Sequence, residues 1–497
     1  MNAASRMRAG LVVLLVLIPT ACNNTPTDTP SETASAPDPF ALPAPPPSSV
    51  YDGPLFANSV DYPDGTEQAP AMPWRDAIGG GAITVQNANA YVLALKSHIA
   101  DDMKTLLFEY PQWDAAEAGW YNQPWESSIR EPIHGTFVGS TFDKNMFPQS
   151  GLTGDMTTHV LTLYDETAGQ SLGNVWGDTA LDPEAGIEDG GQQIPEGGIV
   201  VKPAFTTADG ELWPPMDNAY AWEIYAKPGD GSEGSAEVQD VSFFQFDIIV
   251  KDSVAAPKTQ WVFSTLVYDK DAPGDDWDKM IPLGAMWGND PTVMSPEGCN
   301  PVASAGPVTC PALSETWINP DAPVYATETL GWGGRLSGPN DGAVDTNAAI
   351  LQPDGTSVKY EGRYAMSSCM SCHGPAEYPT ESFLLPVKST CSGDSCRPDT
   401  DGSGPDSSLI YYPAGSAEFM RWFQDRAGDV PQDEGSTALD YDMDYAFKAL
   451  PIWFNETDQE GDLKFIEAFN DYRGLGRSVL RDGKLGTKAS PSPSASP

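Results

Sequence analysis

Three apolar runs between residues 198 and 268 leave this chain little choice of architecture: Gly198–Lys202, Val241–Val250 and Trp261–Tyr268. Each is short, rich in Val, Ile, Phe and Trp, and bounded by Gly, Pro or Asp, which is how strands buried in a sheet read. Gly and Pro together approach a fifth of the chain, so turns are frequent and elements short. One helix stands out upstream, from Asn87 to Phe108, with Tyr91, Leu95, Ile99, Met103 and Leu106 on one face. His98 lies at the edge of that stripe and is expected to be a satisfied core histidine. The length of 497 residues exceeds what one core usually serves. The expected fold class is α+β multidomain: a β-rich domain of unknown role at 56–355 with one early helix, then a small α-helical domain at 356–484.

The charge balance removes some functions. There are 27 Lys and Arg against 70 Asp and Glu, a formal net charge of −43. Binding a phosphate backbone requires clustered basic residues, so no nucleic-acid partner is expected, and a polybasic membrane surface is excluded on the same ground. A 40% hydrophobic fraction with 14 Trp, 18 Tyr and 18 Phe is too rich for wholesale disorder. The acidity suits solubility, a saline habitat or a basic partner equally well. There is no nucleophile elbow, P-loop or dinucleotide fingerprint.

The first 22 residues read as an export signal. Arg6 and Arg8 precede the apolar run Leu11–Ile18, followed by Pro19, Thr20, Ala21 and Cys22. The run is too short to span a bilayer. Thr20-Ala21-Cys22 resembles a bacterial lipobox, in which the cysteine is acylated, although Pro19 stands where that pattern usually has Leu. An ordinary signal peptide cut nearby is the alternative. Lipidation at Cys22 would place the protein on the periplasmic or cell-surface face of a bacterial membrane, and Asn23 fits outer-membrane sorting. Residues 23–55 follow as a tether, with eight prolines among residues 23–50. The Ser/Pro tail, 485–497, reads as disordered.

Seven cysteines divide cleanly. Cys22 belongs to the lipobox. Cys299 with Cys310, and Cys391 with Cys396, are close pairs in Gly/Pro/Ser-rich stretches, and in an exported chain two local disulfides are expected. The remaining two stand in Cys369-Met370-Ser371-Cys372-His373. Cys-x-x-Cys-His is the covalent attachment pattern of c-type haem. On one helical turn, two cysteines three apart each reach a vinyl group, and the adjacent imidazole reaches the iron. A thioredoxin-like redox pair or half of a zinc site are the competing readings.

The stretch Tyr364-Ala365-Met366-Ser367-Ser368-Cys369-Met370-Ser371-Cys372-His373-Gly374-Pro375-Ala376 resembles the monohaem cytochrome c family. The resemblance covers the last quarter of the chain and implies one covalent haem c. It makes Cys369 and Cys372 thioether residues and His373 the axial ligand, and it makes 356–484 a cytochrome c-like haem domain. The family completes its iron with a downstream Met, and two follow here: Met443, 70 residues after His373, and Met420. Both lie in helical patterns (Leu439, Met443, Phe447 and Leu450; Phe419 and Phe423 around Met420), whereas the family's Met sits in a loop. An open or differently ligated iron therefore stays on the table. Trp422, Phe423, Tyr441, Trp453 and Phe454 are candidates for the apolar wall around the group. In the larger segment, the order of Ile199–Lys202, the run through Asp247 and the Trp261 strand is similar to the β-fold of cytochrome P460 proteins. No second attachment motif stands there, so this resemblance implies a shared scaffold only.

Other features carry less. Asp399–Asp406 has the alternating Asp and Gly of a calcium loop but lacks the Glu and spacing of an EF-hand, and reads as a solvated turn. Trp277, Trp287 and Trp332, in loops with Asp or Gly, are packing anchors or cleft walls. Arg335 suits a haem propionate, an acidic substrate or a surface ion pair. His134 and His159 lack metal-ligand spacing. The expected function is electron transfer with a redox partner protein. A haem enzyme acting on peroxide or a small substrate at an open site, and a redox-linked sensor, are the alternatives.

Overall fold

The computed structural model describes residue 40 and residues 42–448, apart from 66–69, 125–129, 143, 178–186, 188–189, 228–234, 295–312, 342–343, 346–348, 352–356, 360–363, 379–381, 383–384 and 387–409. Cys22, Cys299, Cys310, Cys391, Cys396, the Asp399–Asp406 loop, Trp453, Phe454 and both chain ends lie outside the described residues. Among the described residues no helix is long and apolar enough to cross a membrane.

A ten-stranded antiparallel sheet organises the molecule. Its strands are β1 (Trp120–Tyr121), β2 (Phe137–Phe142), β3 (Met156–Val160), β4 (Leu163–Asp165), β5 (Ile199–Thr206), β6 (Ala221–Ala226), β7 (Glu237–Lys251), β8 (Trp261–Tyr268), β9 (Met280–Met286) and β10 (Thr316–Ile318). The spatial order is β1-β4-β5-β7-β8-β9-β10, with β2 and β3 paired beside β5 and β6 paired to β7. The three apolar runs are β5, β7 and β8, the centre of this sheet. Every residue of β8 is buried, because both faces of the sheet are covered. The β-rich expectation therefore holds for the large segment.

The early helix is two. Ala88–His98 and Ala100–Phe108 meet at Ile99, whose backbone (φ −95°, ψ 0°) departs from the helical region. The apolar stripe survives the break: Tyr91, Leu95, Ile99, Met103 and Leu106 are all buried. His98 corrects the expectation of a core histidine. It is exposed, with its ring edge against Trp74 at 5.1 Å. The buried polar residue of that helix is Lys96, whose Nζ donates to the Trp277 carbonyl at 2.7 Å.

A further long helix, Glu166–Trp176, was not expected. Asp165 caps it by accepting from the Ala168 N–H at 2.8 Å. Gly169 and Gly173 masked its helical pattern, and packing explains both. A Cβ on Gly169 would meet the Tyr121 ring at 2.7 Å, and one on Gly173 would meet Tyr62 Cβ at 2.9 Å.

The segment carrying the cysteine motif belongs to the same compact unit as the sheet. Its described elements are short: a two-stranded pair of Val344–Asp345 with Tyr364–Ala365, a three-stranded sheet of Ser357–Lys359, Ala349–Leu351 and Ile410–Tyr411, a pair of Glu377–Tyr378 with Thr437–Ala438, the turn Cys369–His373, the 3-10 turn Phe419–Arg421 and the helix Met443–Lys448. Leu439 precedes that last helix instead of sharing it. Asp440 and Tyr441 take positive φ (53° and 64°), which breaks any helical run from Leu439 to Met443.

Candidate functional site

The turn Cys369–His373 begins with a reciprocal cap. Ser371 N donates to Ser368 Oγ at 3.3 Å, and Ser368 N donates to Ser371 Oγ at 2.7 Å. This capping box fixes a single helical turn too short to hold itself. Cys369 and Cys372 are thiols, not halves of a disulfide. Both line one cavity of about 260 Å³, together with His373.

The sheet builds the opposite wall by register. Val200 of β5 lies across from Ile249 of β7, which lies across from Phe263 of β8. Two residues along, Lys202, Asp247 and Thr265 form the next cross-strand row. Side chains two apart share a face, so both rows open into the cavity. The first row is apolar, and Phe263 meets the His373 ring at 5.0 Å, edge-on. The second row is charged.

That row is joined by Asp341. Lys202 Nζ lies 2.9 Å from Asp341 Oδ1 and 3.8 Å from Asp247 Oδ2. Gln245 Nε2 donates to Asp247 at 2.9 Å and to Asp341 at 3.2 Å, and Thr265 Oγ1 donates to Asp247 at 2.7 Å. Burial opposes the Lys202 charge, but the two carboxylates outweigh it and raise its pKa. Burial, then Asp341, push the Asp247 carboxyl up to about 7. Burial also acts on Asp341, but Lys202 prevails and holds it below the usual carboxylate range. The two carboxyls are thus pushed apart, Asp247 above and Asp341 below the ordinary carboxylate range.

One hydrogen bond fixes the His373 ring. Its Nδ1 lies 2.8 Å from the Tyr441 carbonyl oxygen. A carbonyl only accepts, so Nδ1 carries the proton and Nε2 keeps the lone pair. Burial lowers the ring's pKa to about 4, which leaves the imidazole neutral at neutral pH. Two thiols three residues apart, a neutral imidazole with a fixed tautomer and an apolar wall facing it form a donor set that fits a c-type haem.

The two candidate methionines part here. Met443 lines the cavity, whereas Met420 is buried in the core without lining it, between Phe419 and Phe423, whose rings pack on Trp332. Of the expected wall aromatics, Tyr441 lines the cavity, while Trp422 and Phe423 are buried elsewhere. Phe137, Tyr164, Trp261 and Phe263 line it from the sheet. The Tyr164 hydroxyl lies 2.9 Å from Asp442 Oδ2 and 2.6 Å from Asp444 Oδ2. One hydroxyl proton cannot serve two carboxylates, and burial with Asp444 nearby holds Asp442 well above its ordinary range.

Arg335 corrects the expectation of a surface ion pair. It is fully buried, and its Nε and NH groups donate to the carbonyls of Asn289, Trp332, Asp290 and Val293 at 2.8–3.2 Å. Its guanidinium lies over the Trp332 and Phe423 rings. Trp277, Trp287 and Trp332 are buried packing anchors. His134 is stacked on Trp222 at 4.0 Å and spends Nδ1 on the Glu223 carbonyl, while His159 is buried within β3.

Lys202, Asp247, Asp341 and Phe263 were missed at the sequence level. The available signal was the interruption of the apolar runs by Lys202 and Asp247, two polar residues inside strands buried on both faces. No family model, curated protein or solved structure matches this chain.

Proposed function

We propose that this is an exported, membrane-tethered c-type haem protein whose task is electron transfer, with Cys369 and Cys372 as thioether residues and His373 as axial ligand. The observation that carries the reading is the His373–Tyr441 hydrogen bond in a cavity lined by both thiols. A bound c-type haem supplies a one-electron iron couple. The chain's residues do the rest: the Ser368 cap holds the attachment turn, Tyr441 orients the imidazole, and Val200, Ile249 and Phe263 exclude water from one side. Met443, on the cavity wall, is the first candidate for a second residue that would hold the iron. In this reading a lipid on Cys22 and the 23–55 tether hold the cytochrome c-like region beside a redox partner protein.

A second reading is favoured by the row of Lys202, Asp247 and Asp341. A small-substrate haem enzyme needs a group that can exchange a proton beside the reacting centre, and Asp247, a buried carboxyl held above its ordinary range on the cavity wall, is such a group. The visible spectrum of protein purified from a host that attaches haem decides between them. Low-spin iron with a methionine–ferric charge-transfer band supports the carrier. High-spin iron that shifts with carbon monoxide or cyanide supports the enzyme, and the lack of any haem spectrum contradicts both.

A further inference from the structure

The carbonyl that receives the His373 proton belongs to an unusual piece of backbone. Asp440 and Tyr441 are consecutive non-glycine residues with φ of 53° and 64°. Such positions are strained for residues other than glycine and persist where the surroundings over-determine them. Here the surroundings converge on the Asp440 carboxylate, which is fully buried. Its Oδ1 accepts from Lys251 Nζ and, at 2.8 Å, from Trp261 Nε1. Its Oδ2 accepts from Ile194 N at 2.8 Å, and its own N–H donates to the Gly428 carbonyl at 3.1 Å. Lys251 is almost as buried, with 8% of its side chain exposed. A Cβ on Gly428 would overlap Asp440 Oδ1 and lie 2.9 Å from Lys251 Nζ, so this approach requires glycine there. Lys251 and Trp261 are cross-strand partners at adjoining ends of β7 and β8.

We infer that Asp440 is a positioning residue for His373: clamped by Lys251 and Trp261, it holds the left-handed turn that presents the Tyr441 carbonyl to Nδ1. The inference rests on the haem reading proposed above and adds a route by which the sheet tunes the axial ligand. A hydrogen bond from Nδ1–H to a carbonyl makes Nε2 a stronger donor and favours the oxidised metal. Loosening the turn weakens that bond and raises the reduction potential.

The test uses the haem-loaded full chain. Asp440→Asn and Lys251→Met should each bind covalent haem as the wild type does, yet show a reduction potential shifted upward. Lys251→Arg, which keeps the ion pair, should stay at the wild-type potential. Lys96→Met, which removes a different buried lysine, should also stay there. An unchanged potential in both Asp440→Asn and Lys251→Met overturns the inference. Loss of fold in both assigns the clamp to stability alone and overturns it too. A wild-type chain without covalent haem overturns the underlying reading instead, and haem staining on a denaturing gel separates that failure from the others.

Discussion

His373 donates its Nδ1 proton to the carbonyl oxygen of Tyr441 at 2.8 Å, joining two residues 68 apart in sequence. This contact closes the motif turn onto the loop before Met443, so the geometry of the Cys369–His373 turn depends on a segment that carries no motif of its own.

Met443 should be separable from Met420 by spectroscopy. Met443 lines the cavity and Met420 does not. Met443→Ala is expected to give high-spin iron with loss of the methionine charge-transfer band and a lower potential. Met420→Ala should leave the spectrum alone and cost about 2–5 kcal/mol of stability as a buried truncation. The reverse pattern would exchange their roles.

Arg335 is structural. Removing it takes the guanidinium donor from four backbone carbonyls in the interior, of which Asp290 and Trp332 keep a backbone N–H while Asn289 and Val293 lose the donor they had. Each unsatisfied group costs roughly 1–3 kcal/mol, so Arg335→Ala should destabilise by about 3 kcal/mol or more. Lys cannot reproduce the planar fork, so Arg335→Lys should fall well short of the wild type in denaturant unfolding. Wild-type stability in Arg335→Lys would contradict this.

Gly331 should matter to the attachment turn. A Cβ there would overlap the Ser367 carbonyl and lie 3.0 Å from Ser368 Cα, displacing the residue that caps Cys369–His373. Gly331→Ala is expected to lower the haem bound per chain and the melting temperature. Gly81→Ala, with nothing within 4 Å, should change neither.

Glu377 supplies a pH dependence. Burial, then its hydrogen bond to Asp433, raise its carboxyl to about 8. A folded-state pKa above the unfolded value of about 4.3 means the native state holds this proton more tightly. The resulting stability is complete below about pH 4 and is lost as pH rises through about 8. Glu377→Gln keeps a neutral donor at every pH. Urea unfolding should therefore find the wild type falling behind the variant between about pH 5 and pH 9, and parallel curves would contradict the assignment.

Local chemistry was legible in the sequence and long-range register was not. The Trp261–Tyr268 strand was read to its exact ends because its β-branched and aromatic residues stop at the polar Gln260 and Asp269 on either side. The cysteine motif is local by nature. The charged wall was not readable, because Lys202, Asp247 and Thr265 become neighbours only through the pairing of β5, β7 and β8. Asp440 was equally invisible, since a left-handed turn at Asp-Tyr follows from Lys251 and Trp261 and not from local propensity. The Leu439–Met443 spacing imitated a helix because a period of four says nothing about the φ of the residues between.

The account turns on covalent attachment, and intact-mass spectrometry of the mature protein from a haem-attaching host tests it most directly. The prediction is a single haem adduct per chain, mapped by peptide digestion to Cys369 and Cys372 and absent when both are replaced by Ala. Mature protein that carries no haem mass, with unmodified thiols at those two positions, would contradict it.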